Sequence, residues 1–425
     1  MELEAEDIII IGAGIAGLTT SLGLHKFLSL SILLVLSLLG LKSLVLESWD
    51  GLRISGFAFT TWTNAWKALD ALGISESLRN QHDLLEGIVA SSTVSGALTS
   101  QMSFIAKSKK GDHEVRCTGR KVLLEALEKE LPSGTIRFGS KVVSIEEDGH
   151  FKLVHLADGS ILKTKVLIGC DGVNSVVAKW LGLKKPLFTG RSAIRGTAHY
   201  KDDHSFGPTF LQFFGDGFRS GFMPCNRKIM YWFFTYNTPS SIEDKDFEDD
   251  PIKLKQFVLS NLGKVPKEIV GIVEQTDLES MTSNPLRFRS PLNVLWGNTY
   301  KENVCVAGDA LHPMTPDIGQ GACSALEDGI ILARCLAEAL CRIPSDSEDV
   351  GIEEESRRIK KGLEKFGKER RWRSFELIST AYMVGKIQQS SGKVINYLRD
   401  ELLSAFLARI LLKRAEFDCG DLNTP

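Results

Sequence analysis

The chain opens with an apolar run, a glycine-rich turn and a second apolar run. Residues 8–11 are four consecutive isoleucines, which is typical of a strand buried on both faces. The segment 12–17 follows and contains Gly12, Gly14 and Gly17, and a helical pattern begins at Leu18. A second strand is predicted at 43–46, directly before Glu47. Strand, tight turn, helix and strand in this order predict a parallel βαβ unit.

Later segments change in character along the chain. Helical periodicity returns at 64–72 and 120–131, and short strand patterns follow between 141 and 168. Strands rich in aromatic residues from 192 to 236 predict one large antiparallel sheet, and a long helix is predicted from about Gly319. The expected fold class is α/β, with a Rossmann-like domain, an inserted antiparallel β-sheet domain and C-terminal helices. The corresponding boundaries are 1–185 for the first part of the Rossmann-like domain, 186–290 for the β-sheet domain, 291–342 for the second part of the Rossmann-like domain, and 343–425 for an acidic loop and the C-terminal helices.

Composition and charge exclude several classes of protein. With 425 residues, 43% hydrophobic and 24% charged, the chain is typical of a soluble globular protein of more than one domain. Its 51 basic and 53 acidic residues give a net charge of -2, so nucleic acid is not an expected partner. The eight cysteines form no CxxC pair, which favours buried thiols in a reducing compartment. Four acidic residues in 1–7 are unlike a basic presequence, so a cytoplasmic location is expected.

The glycine turn carries the first candidate for cofactor binding. Gly12 suits a tight turn, Gly14 lets a pyrophosphate approach the backbone, and Gly17 lets the helix pack closely on the strand. Free N–H groups at the start of the helix favour a bound anion. Glu47, at the end of the second strand, is placed to accept hydrogen bonds from a ribose. This motif predicts a bound dinucleotide.

Two later motifs also follow predicted strands. Asp171 lies in a Gly-Cys-Asp-Gly sequence, and Asp309 lies in a Gly-Asp-Ala-Leu-His-Pro sequence that continues to Gly319 and Gly321. An aspartate at a strand end can accept a hydrogen bond from a ribityl hydroxyl. The N–H groups of the helix opened by the last glycines could face the flavin pyrimidine ring, which becomes anionic on reduction.

The order of the three motifs resembles the single-component FAD-dependent aromatic hydroxylases, which are flavoprotein monooxygenases of the p-hydroxybenzoate hydroxylase fold. Within them, the chain is most similar to the plant salicylate-hydroxylase-like monooxygenases. The segments Thr60–Trp66, Gly308–Gly321 and Phe417–Gly420 carry that similarity, which covers nearly the whole chain.

The resemblance implies a role for each motif residue. Arg120 would contact the FAD pyrophosphate or ribityl region, Asp171 would serve FAD and the transient reductant, and Asp309 would bind the ribityl chain. The alternative for Arg120 is a solvated arginine at a helix start. The full set of implied FAD ligands is Gly12, Gly14, Gly17, Glu47, Arg120, Asp171, Gly308, Asp309, Pro316, Gly319, Gln320 and Gly321.

The resemblance also implies the reaction. FAD reduced by NAD(P)H would react with O2 to give a flavin hydroperoxide, which would hydroxylate a small aromatic or otherwise activated organic substrate. No catalytic triad and no metal are expected, and His312 is interpreted as structural or close to the flavin, with proton transfer as the alternative. Arg195 and Tyr231 are candidate substrate contacts, because a guanidinium could pair with a carboxylate or phenolate. The alternative for the aromatic strands is plain core.

Three other functions remain open at this point. An epoxidase of an isoprenoid would have the same fold but a wider and more apolar pocket, with no role for Arg195. A non-catalytic or damaged flavoprotein would oxidise no NADPH with any ligand. A membrane-associated binding protein would separate with the membrane fraction.

One segment departs from the family pattern. Glu47 lies 30 residues after Gly17, where about 20 is usual. Between them, residues 27–38 contain only Ser, Leu, Ile, Val and Phe, and they read as a foreign insertion such as retained intron sequence. The uncharged run 27–41 is 15 residues long, short of the ~20 that a membrane span needs, so a shallow membrane anchor is the alternative. An insertion here is expected to displace the second strand, move Glu47 off the ribose and weaken FAD binding.

Overall fold

The computed structural model describes residues 5–31, 42–54, 57–105, 107–108, 111–238, 250–341, 351–389 and 404–422. Its strands are β1 Ala5–Ile11, β2 Ser43–Leu46, β3 Ala58–Thr61, β4 Gly87–Ser92, β5 Leu98–Ser103, β6 Lys107–Ser108, β7 Gly111–Asp112, β8 Arg116–Gly119, β9 Ile136–Arg137, β10 Val142–Asp148, β11 Phe151–Leu156, β12 Ile161–Gly169, β13 Leu187–His199, β14 Thr209–Phe214, β15 Phe218–Asn226, β16 Ile229–Asn237, β17 Met281–Phe288, β18 Tyr300–Lys301 and β19 Val304–Val306. Its helices are α1 Ile15–Ser31, α2 Thr63–Ala71, α3 Ser75–Arg79, α4 Arg120–Lys129, α5 Val176–Trp180, α6 Pro251–Asn261, α7 Lys267–Gln275, α8 Pro291–Trp296, α9 Gly321–Cys341, α10 Ile352–Gln388 and α11 Ser404–Arg414.

The first sheet is built on the apolar run at the start of the chain. Strand β1 lies between β12 and β2 and pairs with both in parallel, while β9 extends the sheet beyond β2 and β19 pairs in parallel with β12. Ile8, Ile9 and Ile10 are fully buried, as expected for a strand covered on both faces. Because parallel strands end at the same edge, the segments that follow β1, β2, β12 and β19 meet there.

The second sheet has the strand order β17-β13-β16-β15-β14-β4-β5. All neighbours are antiparallel except β14 and β4, which pair in parallel from Thr209 with Gly87 to Phe214 with Ser92. Strands β4 and β5 thus belong to this sheet, although the predicted boundary at 185/186 puts them with the Rossmann-like part. The pairing joins segments more than 100 positions apart, which a local pattern of apolar residues does not reveal.

The aromatic residues of the second sheet divide between its two faces, because successive side chains of a strand point in opposite directions. Met223, Tyr231 and Phe233 join the main core of the molecule. Trp232 and Phe234 face the other way and pack with helices α6 and α7 in a separate core. Among the aromatic residues of β14, β15 and β16, only Phe210, Tyr231 and Phe233 therefore join the main core on the side of the first sheet, and most of the others lie on the opposite face.

The apolar segment 27–38 leaves the strand order intact. Helix α1 continues to Ser31 and buries Phe27, and β2 pairs with β1 in register from Ile8 with Ser43 to Ile11 with Leu46. The expected displacement of the second strand is therefore wrong, because β2 pairs with β1 along its whole length. Residues 32–41 lie outside the described residues. Among the helices that the structure describes, none has the length and apolarity needed to cross a membrane.

Candidate flavin site

The glycine turn after β1 leaves open space at one position only. Gly12 has φ +104°, and a Cβ there would lie 2.5 Å from the carbonyl oxygen of Cys170. A Cβ on Gly17 would lie 2.0 Å from the carbonyl oxygen of Gly12. At Gly14, no heavy atom of the described chain lies within 4 Å of the Cβ position. Gly12 and Gly17 thus serve the packing of the protein itself, and Gly14 leaves room for a ligand.

Glu47 lies beside this turn. Its Oε2 accepts a hydrogen bond of 2.9 Å from the backbone N–H of Ala13. Its Oε1 accepts bonds of 3.1 Å from the hydroxyl of Ser48 and the N–H of Trp49. The register of β1 and β2 produces this arrangement, because both strands end level with each other. The carboxylate is therefore fixed at the site where a ribose is predicted.

Asp171 follows β12 at the same sheet edge. Its Oδ2 accepts a hydrogen bond of 2.6 Å from the N–H of Val176, at the start of α5. Its Oδ1 is buried and has no hydrogen-bond partner within the described residues. Burial raises the pKa of this carboxyl group. A buried acceptor without a partner suits a ligand hydroxyl or amide N–H.

Asp309 lies after β19, in the turn Gly308–Ala310. Asp309 keeps contact with solvent. The loss of hydration caused by the surrounding protein nevertheless raises the pKa of its carboxyl group, and His312 and Arg120 act in the opposite direction. Burial lowers the pKa of Arg120, and Asp309 opposes that effect. The predicted ligands Arg120 and Asp309 therefore lie close enough in the structure for each to shift the pKa of the other.

Phe57 joins the predicted cofactor residues to a predicted substrate residue. The guanidinium carbon of Arg120 lies 5.9 Å from the centre of its ring, and that of Arg195 lies 4.9 Å from it. Arg120 also donates a 3.4 Å hydrogen bond to the carbonyl of Arg53. Sequence reasoning missed Phe57, because no motif marks it.

The side chain of Asp328 in α9 holds the loop around Asp309 through hydrogen bonds. One carboxylate oxygen, Oδ2, accepts hydrogen bonds of 2.7 Å from the N–H of Gly308 and from Nε2 of His312. The other, Oδ1, accepts a 2.5 Å bond from Nε of Arg370 in α10. All of these side chains are fully buried. Burial would raise the pKa of Asp328, but His312 and Arg370 hold it at about 2.

His312 is accordingly part of the support of the loop. Its Nε2 also lies 3.2 Å from the hydroxyl of Ser324, and its ring has no solvent access. This arrangement agrees with the structural interpretation of His312.

A second set of buried groups holds the end of the same loop. Gln320 accepts a 2.8 Å bond from Nδ2 of Asn64, which also donates to Glu327 at 2.5 Å. Arg370 and Arg373 both pair with Glu327, at 2.7 and 2.8 Å. Burial would raise the pKa of Glu327, and these guanidinium groups hold it below its usual range. The side chain of Gln320 is thereby directed into the protein.

Pro316 and the neighbouring glycines complete the loop. Pro316 is half-buried in a short turn, and Gly319 has a φ of +62°, a conformation that favours glycine. Gly321 is the first residue of α9 and retains partial solvent access.

Asp317, in the same loop, makes contacts that sequence reasoning missed. Its carboxylate accepts bonds of 3.1 and 2.8 Å from Arg191 of β13, and it lies 3.6 Å from Arg219 of β15. Burial would raise the pKa of Asp317, but Arg219 and Arg191 lower it below the ordinary value. The sequence signal for these contacts is the presence of two arginines, Arg191 and Arg219, within strands that are otherwise apolar and aromatic.

Arg195 and Tyr231 lie on the same face of the second sheet. Arg195 pairs with Phe233 and Thr197 with Tyr231, so the two candidate residues are two positions apart along the strands. Tyr231 is buried, which raises its pKa, whereas Arg195 is half-buried and stacks on Phe57. The candidate substrate residues therefore face the side on which the motif loops lie.

The loops at one sheet edge, with an open glycine position and an unpartnered carboxylate oxygen, fit a dinucleotide cofactor. Residues 5–347 match the family of the FAD binding domain, and the chain belongs to that family. Two Arabidopsis thaliana proteins are similar over nearly their whole length. Monooxygenase 2 is 54% identical over 98% of each chain, and Monooxygenase 1 is 35% identical over 99% of this chain and 100% of its own.

Known structures share the fold. Klebsiella pneumoniae HpxO, complexed with FAD and uric acid, is 22% identical, covers 96% of each chain and gives a TM-score of 0.76. The predicted α/β fold and family are thus confirmed, and the protein is an FAD-binding monooxygenase.

Proposed function

We propose that this protein uses NAD(P)H and O2 to hydroxylate a small aromatic or otherwise activated organic substrate that carries a negative charge. The observation that supports this most directly is the placement of Arg195. Its guanidinium stacks on Phe57, which also contacts Arg120, so a cation of the second sheet lies next to the flavin site. A guanidinium there would pair with a carboxylate or phenolate of the substrate.

The residues fit FAD in the following way. The open position at Gly14 and the N–H groups of α1 would hold the pyrophosphate, Glu47 the adenosine ribose, and Asp309 the ribityl chain. Asp171 and Arg120 would complete the site. When bound, FAD supplies the transfer of hydride from NAD(P)H and of one oxygen atom from O2. The protein holds both partners in place and limits the access of water.

The chemistry of the second sheet favours an anionic substrate over an isoprenoid. Arg195 is half-buried beside the flavin site and stacks on Phe57. A buried cation without a charge partner is energetically costly, and an apolar isoprenoid would leave Arg195 in that state. The uric acid bound by the Klebsiella pneumoniae protein is a planar heteroaromatic compound, which supports a ring substrate of similar size.

Arg195 provides the test. In the FAD-loaded protein, NADPH oxidation should be stimulated more by hydroxybenzoates and urate than by their neutral analogues. Arg195→Met should raise KM for the anionic compounds by about ten- to a hundredfold, as expected for the loss of a charge-assisted pair. Arg195→Lys should recover part of this loss because it keeps the charge.

The matched control is Arg227→Met, which removes an exposed arginine from the turn between β15 and β16. It should leave KM unchanged. Equal KM values for charged and neutral analogues in the wild type would contradict an anionic substrate.

A further inference from the structure

A group of large apolar side chains is exposed on the surface formed by β13, α8 and α10. Its members are Leu187 at 53% exposure, Leu292 at 49%, Trp296 at 73%, Trp372 at 58% and Met383 at 45%. Trp372 and Met383 are 11 positions apart on α10, which is three helical turns and places them on one side. We refer to these five residues as the apolar face. Single exposed apolar residues need no explanation, but two tryptophans and three aliphatic side chains in one region do.

Direct contacts join the three elements that carry these residues. Leu187 pairs with Phe288 across β13 and β17, and the ring of Phe288 stacks on Tyr382 of α10 at 4.6 Å. Arg371 of α10 donates a 3.1 Å bond to the carbonyl of Leu295 in α8. Trp372 and Leu295 line the same surface depression of ≈ 330 Å³.

Basic groups surround the apolar face. Lys184, Lys185 and Lys386 are exposed, and within the described residues no carboxylate pairs with them or with Arg371. Residues 183–191 and 281–301 contain no Asp or Glu at all, although the chain as a whole has a net charge of -2. The carboxylates on the nearby part of α10 are already engaged, since Glu364 pairs with Lys368, Glu369 with Arg334 and Glu376 with Arg414.

We propose that the apolar face docks on the surface of a membrane that contains anionic lipids. Tryptophan is suited to the boundary between headgroups and acyl chains, where its ring is apolar and its N–H remains hydrated. Lysine side chains next to it reach the lipid phosphates. A second copy of this chain fits less well, because a two-fold contact through this face would place like charges opposite each other.

The test uses the full-length protein with vesicles of phosphatidylcholine alone or with about 30 mol% phosphatidylserine. Co-sedimentation should occur with the anionic vesicles and weaken at about 0.5 M NaCl, which screens the lysines. The double variant Trp296→Ser, Trp372→Ser should bind at least about tenfold more weakly, because it removes two rings from the interface. Reversing charge with Lys184→Glu and Lys185→Glu should cost about tenfold as well.

The matched control is Leu98→Ser with Val143→Ser, which removes two apolar residues that are also more than half or about half exposed but lie elsewhere. Its vesicle binding should equal that of the wild type, and all variants should keep the wild-type Tm. Absence of binding to anionic vesicles overturns the proposal. So does undiminished binding of the tryptophan variant, which would assign the affinity to another segment such as 27–41. A dimer in sedimentation velocity that this variant abolishes would assign the face to a second copy.

Discussion

At the scale of single residues, the three glycines of the first turn have different physical roles. Gly12 and Gly17 face their own backbone at distances that leave no room for a side chain, whereas Gly14 faces open space. Sequence alone assigns all three to one motif, and the structure separates the two that packing requires from the one that leaves room for a ligand. This separation gives a prediction that does not depend on enzyme activity.

We expect Gly14→Ala to leave the FAD-free protein as stable as the wild type, within about 0.5 kcal/mol. Its affinity for FAD should fall by at least about tenfold, because the methyl group occupies the space for the pyrophosphate. Gly17→Ala should destabilise the FAD-free protein by about 1–3 kcal/mol, as overpacking does. Thermal unfolding with and without FAD measures both effects. Equal destabilisation by the two variants would show that the open space at Gly14 has no role in binding.

At the scale of elements, α9 and α10 hold the loop 308–320 through buried charges. Asp328 and Glu327 of α9 face Arg370 and Arg373 of α10, so two carboxylates balance two guanidinium groups. Such groups are costly to bury and are stable only when each has its partner. Helix α10, which carries none of the sequence motifs, therefore takes part in shaping the site.

Asp328 makes this support measurable. Its pKa in the folded protein is about 2, below the value of 3.8 expected when unfolded. Its contribution to stability, about 2 kcal/mol, is therefore fully present above about pH 4 and lost as the pH falls towards 2. Asp328→Asn should lower the free energy of unfolding at neutral pH by about 3–5 kcal/mol, because Arg370 loses its charge partner. It should also flatten the decline in stability between pH 4 and pH 2.

Asp309→Asn serves as the comparison for this prediction. Asp309 is only 19 positions away and in the supported loop, but its side chain is open to solvent. Asp309→Asn should leave the stability of the FAD-free protein at neutral pH equal to that of the wild type or raise it, because the fold disfavours the charged form of this carboxyl group. It should weaken FAD binding. Denaturant unfolding across pH gives both results. A variant at Asp328 as stable as the wild type would show that the buried charges do not hold the loop.

Features encoded within a few residues could be predicted, and those that join distant segments could not. The isoleucine run, the glycine turn and the order of the later motifs predicted the first sheet and the family, and the nucleotide site that they indicate stays a prediction. The parallel pairing of β4 with β14, and the pairs of Asp317 with Arg219 and of Asp328 with Arg370, depend on tertiary contacts. A sequence displays such residues only as isolated charges or as one more apolar strand.

At the scale of the whole molecule, the apolar segment 27–38 is tolerated by the sheet. The in-register pairing of β1 with β2 keeps Glu47 in contact with the N–H of Ala13, so both sides of the predicted nucleotide site are assembled in the intact chain. This weighs against a flavoprotein damaged at its cofactor site. The origin of the segment as foreign sequence stays a prediction.

The intact protein should therefore retain FAD after desalting, at close to one flavin per chain, with absorbance bands near ~370 and ~450 nm. Deleting 27–38 should leave the flavin content unchanged, because the segment lies before the strand that carries Glu47 and does not alter its register. The deletion should instead raise the solubility of the protein, because it removes apolar sequence. A deleted protein that binds clearly more flavin than the intact one would show that the segment disturbs the site in solution. An intact protein that remains colourless with added FAD would show that the strands pair without forming a functional cofactor site.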